Sequence, residues 1–276
     1  MKQLLFLAVL IVGLQPTYVV TQVAPILSTD QLRIQYVPPK NVAHESVYRL
    51  LREREVLEKF KEFFSPLRLP RSLLLKTEGC DGVSNAWYEN DIVTICYEYL
   101  DEILKFAPQQ TTPAGVTRTD AILGPTLDIV FHEIGHAVFH YLSIPVLGRE
   151  EDAADQFSAY FLLKFAKDDA RRLILGVAYG FHHEALRTTL SKSQFAGEHG
   201  LPIQRFYNIL CVAYGADPKV FADLVAKQYL PKERAEICGM EYEQLTLAMT
   251  KLVLPYVDET LAKAVQAKRW LNFNLK

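Results

Sequence analysis

The sequence predicts an α+β protein, with a small N-terminal sheet containing a hairpin and then a mainly helical bundle. Three observations carry this reading. Short apolar or alternating runs, bounded by Pro, Gly, Asn or Asp, are confined to the part before residue 98. Beyond residue 118, apolar residues recur at helical spacing almost to the C-terminus. The chain has 276 residues, half of them hydrophobic, which suffices for one large domain.

The chain opens MKQLLFLAVLIVGLQP. Lys2 forms a one-charge n-region, and Leu4 to Leu14 is an apolar run of signal-peptide length, too short to span a bilayer by itself. No small-x-small site follows, because Ala24 precedes Pro25. Residues 1–24 therefore read as a signal peptide or an N-terminal anchor, and 25–276 as a single domain. The expected location is secreted, periplasmic or cell-envelope, with any membrane attachment through the apolar segment only. Removing Lys2 with the leader takes the formal net charge from −2 to −3. Signs are mixed along the chain, and no basic patch points to nucleic acid.

Leu32 to Val37 reads as the first strand, stopped by Pro38-Pro39. His44 to Phe64 reads as one amphipathic helix, with charges of alternating sign on its solvated face. Ser72 to Glu78 is a second strand. Val83 to Tyr88 and Ile92 to Tyr97 form a hairpin across a Glu89-Asn90-Asp91 turn. A short helix runs from Tyr99 to Phe106, and APQQTTPAGVTR is a loop. Thr119-Asp120 signals the start of the next helix, which Pro145 and Gly148 bring to an end. Further helices are expected over 150–167, 169–189, 202–213, 217–228, 232–255 and 258–271. Gly176 and Gly180 form a GxxxG pair, but Arg171-Arg172 and His182-His183 bracket it, so it reads as close packing in a soluble core.

Four cysteines lie outside the leader. An even count in an exported chain favours disulfides. Of the three possible pairings, Cys80–Cys96 across the hairpin and Cys211–Cys238 across a helical segment are the simplest. No CxxC spacing suggests a four-cysteine metal site.

The segment FHEIGHAVFH carries the chemistry. His132 and His136 are four apart, so on a helix they differ by about 40° in direction and about 6 Å in height. Both imidazoles can close on a single ion. Glu133 points about 100° away, which suits it to meet a water at that ion as general base. A third ligand is sought in GREEDAADQFSAYFLL, where Glu151, Asp155 and Ser158 share one helix face. A polar stripe beside an apolar side needs a partner, since unpaired buried carboxylates are costly. The seven residues from Ser143 to Arg149 span at most about 24 Å. That is ample to bring the second helix back beside the histidines, which lie only about 9 Å below the break. Glu151 is the assigned third ligand, with Glu150 and Asp152 as fallbacks. Asp155, one turn on, would orient a ligand histidine. The expected metal is zinc, one per chain.

HEIGH followed by Glu151-x-x-x-Asp155 resembles the gluzincin type of zinc metallopeptidase, with a shorter gap between His136 and Glu151 than in the thermolysin branch. The wider pieces FHEIGHAVF, GREEDAADQFSA, GVSNAWYENDIVTICYEYL and GEHGLPIQRFYNILCVAYGADP resemble a bacterial family catalogued as "putative metallopeptidases", formerly a domain of unknown function. They cover much of residues 70–240. The resemblance implies a zincin-like fold and peptidase activity, and supplies no substrate.

A peptidase must also hold an extended peptide and stabilise an oxyanion. Asn85, Ala86, Trp87 and Tyr88 on the hairpin are candidates for pairing with substrate backbone. His199 is the leading oxyanion candidate, with Arg205 and Tyr207 behind it. His140 reads as packing or a helix C-terminal cation, because a catalytic zinc keeps a position open. His182, His183 and Glu184 make a poor second metal site, because adjacent histidines diverge by about 100° on a helix. Asp128, one turn before His132, is expected to hydrogen-bond at the site or to cap the loop. The reaction expected is hydrolysis of a peptide or protein by a metal-activated water. The rival readings are a zinc-stabilised cell-envelope binding module without turnover, against which Glu133 speaks, and a helical protein with an incidental HEIGH.

Overall fold

The computed structural model describes residues 27–268 and Trp270. The expected leader, 1–24, lies outside the described residues. Four strands form one sheet: β1 (Leu32–Tyr36), β2 (Leu73–Glu78), β3 (Ala86–Glu89) and β4 (Ile92–Cys96), in the order β1-β2-β4-β3. The first three in that order are mutually parallel, while β3 runs antiparallel to β4 along one edge. β2 alternates, with Leu73, Leu75 and Thr77 inward. β4 is buried almost throughout because it lies between two neighbours.

The hairpin turn is tighter than its sequence suggested. Glu89 pairs with Ile92, which leaves only Asn90 (φ 51°) and Asp91 (φ 64°) to reverse the chain. Two left-handed residues match the twist of a two-residue hairpin, and Asn and Asp tolerate that region best after glycine. Arg71 locks the turn, donating from Nε and Nη2 to the two Asp91 oxygens at 2.9 Å each.

The helix expected over 44–64 is two helices, α1 (Glu45–Glu53) and α2 (Val56–Phe64). Glu55 breaks it with φ 50°. The cause is tertiary: the Tyr36 hydroxyl of β1 accepts from Leu57 N–H at 2.8 Å and donates to Glu58 at 2.6 Å. The start of α2 is thus capped from the sheet. α3 (Tyr97–Phe106) follows β4 directly, and α4 (Arg118–Leu142) is the longest helix. Its cap is Thr117 rather than Thr119, in a reciprocal capping box with Asp120.

The rest comprises α5 (Glu150–Leu162), α6 (Lys167–Arg187), α7 (Lys192–Ala196), α8 (Pro202–Ala216), α9 (Ala222–Ala226), α10 (Lys232–Leu252) and α11 (Glu259–Gln266). The helix expected over 217–228 shrinks to α9. Asp217 instead accepts from Lys219 and Val220 N–H, which makes a turn there. One hydrophobic core runs from Leu32 to Val253, and α4 is buried around most of its girth within it. Among the described residues no helix is long and apolar enough to cross a membrane.

α6 crosses α4 at glycine. A Cβ on Gly176 would lie 2.0 Å from the Asp120 carbonyl oxygen, so the two backbones touch. Gly176→Ala gains about 1 kcal/mol of helix propensity. It must also push the helices apart, at a cost of about 1–3 kcal/mol or more. The expected net result is a lower melting temperature, read by calorimetry; an unchanged one would contradict this packing.

Both local disulfides are present, Cys80–Cys96 and Cys211–Cys238. The first ties the ends of the parallel neighbours β2 and β4, and the second joins α8 to α10. Replacing Cys80 and Cys96 together by Ser is expected to lower stability by about 3 kcal/mol in denaturant unfolding, from the loop entropy released.

Candidate metal centre

On α4, Asp128, His132 and His136 recur every four residues and so form one line. The facing line on α5 is Glu151, Asp155 and Ser158. The loop between them makes this possible. Ser143 ends α4 in the left-handed region (φ 51°), and Gly148, at φ 119°, turns the chain back. α5 then begins with Glu150, Glu151 and Asp152, three carboxylates in a first turn whose dipole favours negative charge.

The two lines meet rung by rung. Ser158 Oγ donates to Asp128 Oδ1 at 2.6 Å. His132 Nδ1 lies 2.8 Å from Asp155 Oδ1. At the open end, His132 Nε2 is 2.9 Å from Glu151 Oε2 and 3.2 Å from His136 Nε2, and His136 Nε2 is 3.4 Å from the same Glu151 oxygen. Two ring nitrogens and one carboxylate oxygen thus form a triangle with edges of 2.9–3.4 Å. Ligands at zinc's usual bond lengths, placed tetrahedrally, stand about 3.3 Å apart. The donor set therefore fits one small divalent cation. Among the described residues only one other group of this kind converges, Cys80, Cys96 and Glu98, and its thiols are consumed in a disulfide.

The surroundings fix the ring nitrogens. With Nε2 turned to the triangle, His132 carries its proton on Nδ1 and donates it to Asp155. His136 Nδ1 is 2.8 Å from Glu150 Oε1. Asp155 is held in turn by Arg205 of α8, which donates from Nε at 2.8 Å and Nη2 at 2.6 Å. Burial works against charge on His132, yet its hydrogen bonds to Asp155 and Glu151 outweigh it and push its pKa up to about 10. Burial also opposes charge on Glu151, but the hydrogen bonds from His132, His136 and His199 hold its carboxyl far below the usual range. The cluster is thus built to hold positive charge, from a proton or from a metal.

Glu133 is buried and faces the same cleft as His136. Burial raises its carboxyl pKa, against the pull of His132 and His136. The cleft has a volume of about 1020 Å³ and is bounded by β3, α4, α6 and the loop before α8.

The candidate residues separate clearly by position. Glu151 is the acid that converges with both imidazoles. Glu150 sits behind His136, and Asp152 pairs with Arg149 at 2.8 Å, so neither fallback completes the triangle. His199 Nε2 lies 2.8 Å from Glu151 Oε2, beside the triangle. Arg205 is committed to Asp155. Tyr207 is outside the cleft lining and packs on Phe206. Asn85, just before β3, and Ala86 and Trp87 at its start line the cleft; Ala86 is buried, so there only backbone could meet a ligand. His140 meets the Tyr88 hydroxyl at 2.7 Å. His182 and His183 part company, toward Phe206 and Phe106 respectively.

Sequence reasoning did not mark several cleft residues, Tyr99 and Glu102 among them, and weighed Glu184 only as part of a second metal site with His182 and His183. Arg205, weighed for the oxyanion or else for packing or a salt bridge, makes a salt bridge to Asp155. A buried arginine demands a carboxylate partner, and that demand could have linked it to Asp155.

Asp155→Asn keeps the shape but weakens the hold on His132 and leaves Arg205 uncompensated. Metal affinity is expected to fall about 10–100-fold in a competition titration. Unchanged affinity would remove Asp155 from the support of the centre.

Residues 36–253 match the model of a protein family described as "Putative metallopeptidase". No curated protein matches the chain. No solved structure matches it either.

Proposed function

The chain belongs to the family described as "Putative metallopeptidase", and from that premise we propose that it is a zinc-dependent peptidase of zincin-like fold. The carrying observation is the triangle of His132 Nε2, His136 Nε2 and Glu151 Oε2, opening beside Glu133 into a cleft bordered by β3, the outer strand of the sheet. These three residues would hold the zinc. When bound, the ion supplies Lewis acidity, which polarises a peptide carbonyl and acidifies a water.

The chain's own groups do the rest. Glu133 takes a proton from the water and delivers it to the leaving amine. Its burial-raised pKa suits a group that must both accept and release a proton. Asp155, braced by Arg205, keeps the His132 proton on Nδ1. His199, whose Nε2 lies 2.8 Å from Glu151 Oε2 beside the triangle, would donate toward an oxygen that gains charge during the reaction. The start of the edge strand β3, with Asn85 just before it and Ala86 and Trp87 on it, is the template along which an extended peptide would pair. A peptide or protein is thus the substrate class.

We further read residues 25–276 as one domain. The two disulfides support a secreted, periplasmic or cell-envelope location. A zinc-stabilised binding module would have no need of a base aimed into the cleft, which favours the enzyme over that rival. The test is cleavage of a random peptide pool by the purified protein. Cleavage is expected to stop with a chelator and to return with added zinc. A zinc-loaded protein that leaves the pool intact would contradict the reading.

A further inference from the structure

α6 borders the cleft with a regular face. Val177, Gly180, Phe181, Glu184 and Arg187 line it at spacings of three and four. Gly180 lies against Pro125 of α4, which brings this face close to the metal helix. Most charges around the cleft are already matched. Arg187 pairs with Glu102 at 3.0 Å, and Glu102 also accepts from Ser84 Oγ at 2.6 Å. Glu150 is engaged by His136, Asp128 by Ser158, and Arg205 by Asp155.

Glu184 is the exception on this wall. Among the described residues its carboxylate has no hydrogen-bond or ion-pair partner; only its backbone carbonyl is used, accepting from Thr188 Oγ1 at 2.9 Å. It is close enough to Arg205, His199 and Asp155 to feel their charges. Glu184 is exposed and opens to solvent in the cleft that it lines. A carboxylate that lines the cleft with no hydrogen-bonded or ion-paired partner of its own is free to accept a cation arriving from outside.

We propose that Glu184 is a specificity determinant of the cleft and selects peptides that carry a cationic nitrogen. This rests on the peptide-cleaving reading above. The nitrogen could be a free α-amino terminus or a basic side chain; both present the same ammonium-type chemistry to the carboxylate, and the experiment separates them.

The experiment measures equilibrium binding to the zinc-loaded Glu133→Gln chain, in which peptide is held without turnover. Four decapeptide pools serve as probes: one fixed position is lysine or its neutral counterpart norleucine, and each pool has a free or an acetylated amino terminus. The readout is the ratio of affinities between cationic and neutral pools, which cancels general losses of fold. Zinc content and melting temperature check that each variant is intact. A preference of roughly three- to tenfold for a cationic pool is expected, as for an ion pair in a solvent-open cleft. Adding Glu184→Gln should bring that ratio close to one, while Glu184→Asp should retain part of it. Preference in the lysine arm assigns the side chain, and preference in the amino-terminal arm assigns the terminus.

A ratio of one in the parent overturns the proposal. So does a preference that survives Glu184→Gln, or failure of every pool to bind. The peptidase reading is judged separately, by cleavage of an unbiased pool by the chain with Glu133 intact. Cleavage there without Glu184-dependent preference sinks the Glu184 assignment alone. A Glu184-dependent ratio without cleavage keeps the cation site and turns the cleft into a binding groove.

Discussion

Replacing Glu133 by glutamine is expected to lower peptide hydrolysis by about 10²–10⁴-fold while the bound metal stays. The two effects separate because Glu133 is next to His132 in sequence but points about 100° away from it on the helix. It is absent from the group of converging ligand atoms. Glutamine preserves its volume and can still hydrogen-bond, but it cannot take a proton. Glu133 is 6% exposed, so the substitution also removes a charge from a nearly dry position. The variant should therefore fold at least as well as the parent. Activity assays beside metal analysis check this directly. Loss of metal together with activity would make Glu133 a structural group, and full activity would remove it from the mechanism.

Glu151→Gln is expected to cost more than the 10–100-fold in metal affinity typical of a supporting residue, because it removes a charged ligand. Glu150→Gln, one residue away, should change affinity by far less. The contrast rests on position. Glu151 Oε2 lies 2.8–3.4 Å from three imidazole nitrogens, those of His132, His136 and His199. Glu150 touches only the outer nitrogen of His136. Without Glu151 the three rings share no anion, and breaking a buried charge cluster by one partner typically costs about 3–5 kcal/mol. The metal-free Glu151→Gln protein should accordingly melt at a lower temperature than the metal-free parent. A competition titration with a zinc indicator, run on both variants, reads the affinities. Equal losses would move the third ligand away from Glu151.

Much of this site was legible before the fold was known. His132 and His136 declare their geometry through spacing alone. The stripe Glu151, Asp155, Ser158 needed only a partner stripe, and α4 supplies it as His132, His136 and Asp128. The short-range disulfides followed from chain proximity, and the hairpin from its alternation. What stayed hidden depends on contacts distant in sequence. The break at Glu55 comes from a hydroxyl on β1, twenty-one residues before the amide that it caps. Arg205 reaches Asp155 across fifty residues. Glu184 becomes a cleft residue only because Gly176 and Gly180 let α6 lie against α4. Periodicity marks which face of a helix is apolar, but not which neighbour covers it.

The most direct test of the account is the zinc content of the purified, oxidised protein, measured by elemental mass spectrometry without exposure to chelator or a histidine tag. About one zinc per chain, lost in His132→Ala, is the predicted result for a site with three protein ligands. A folded protein that carries no zinc, and takes up none when zinc is supplied, would contradict the metal centre and with it the proposed chemistry.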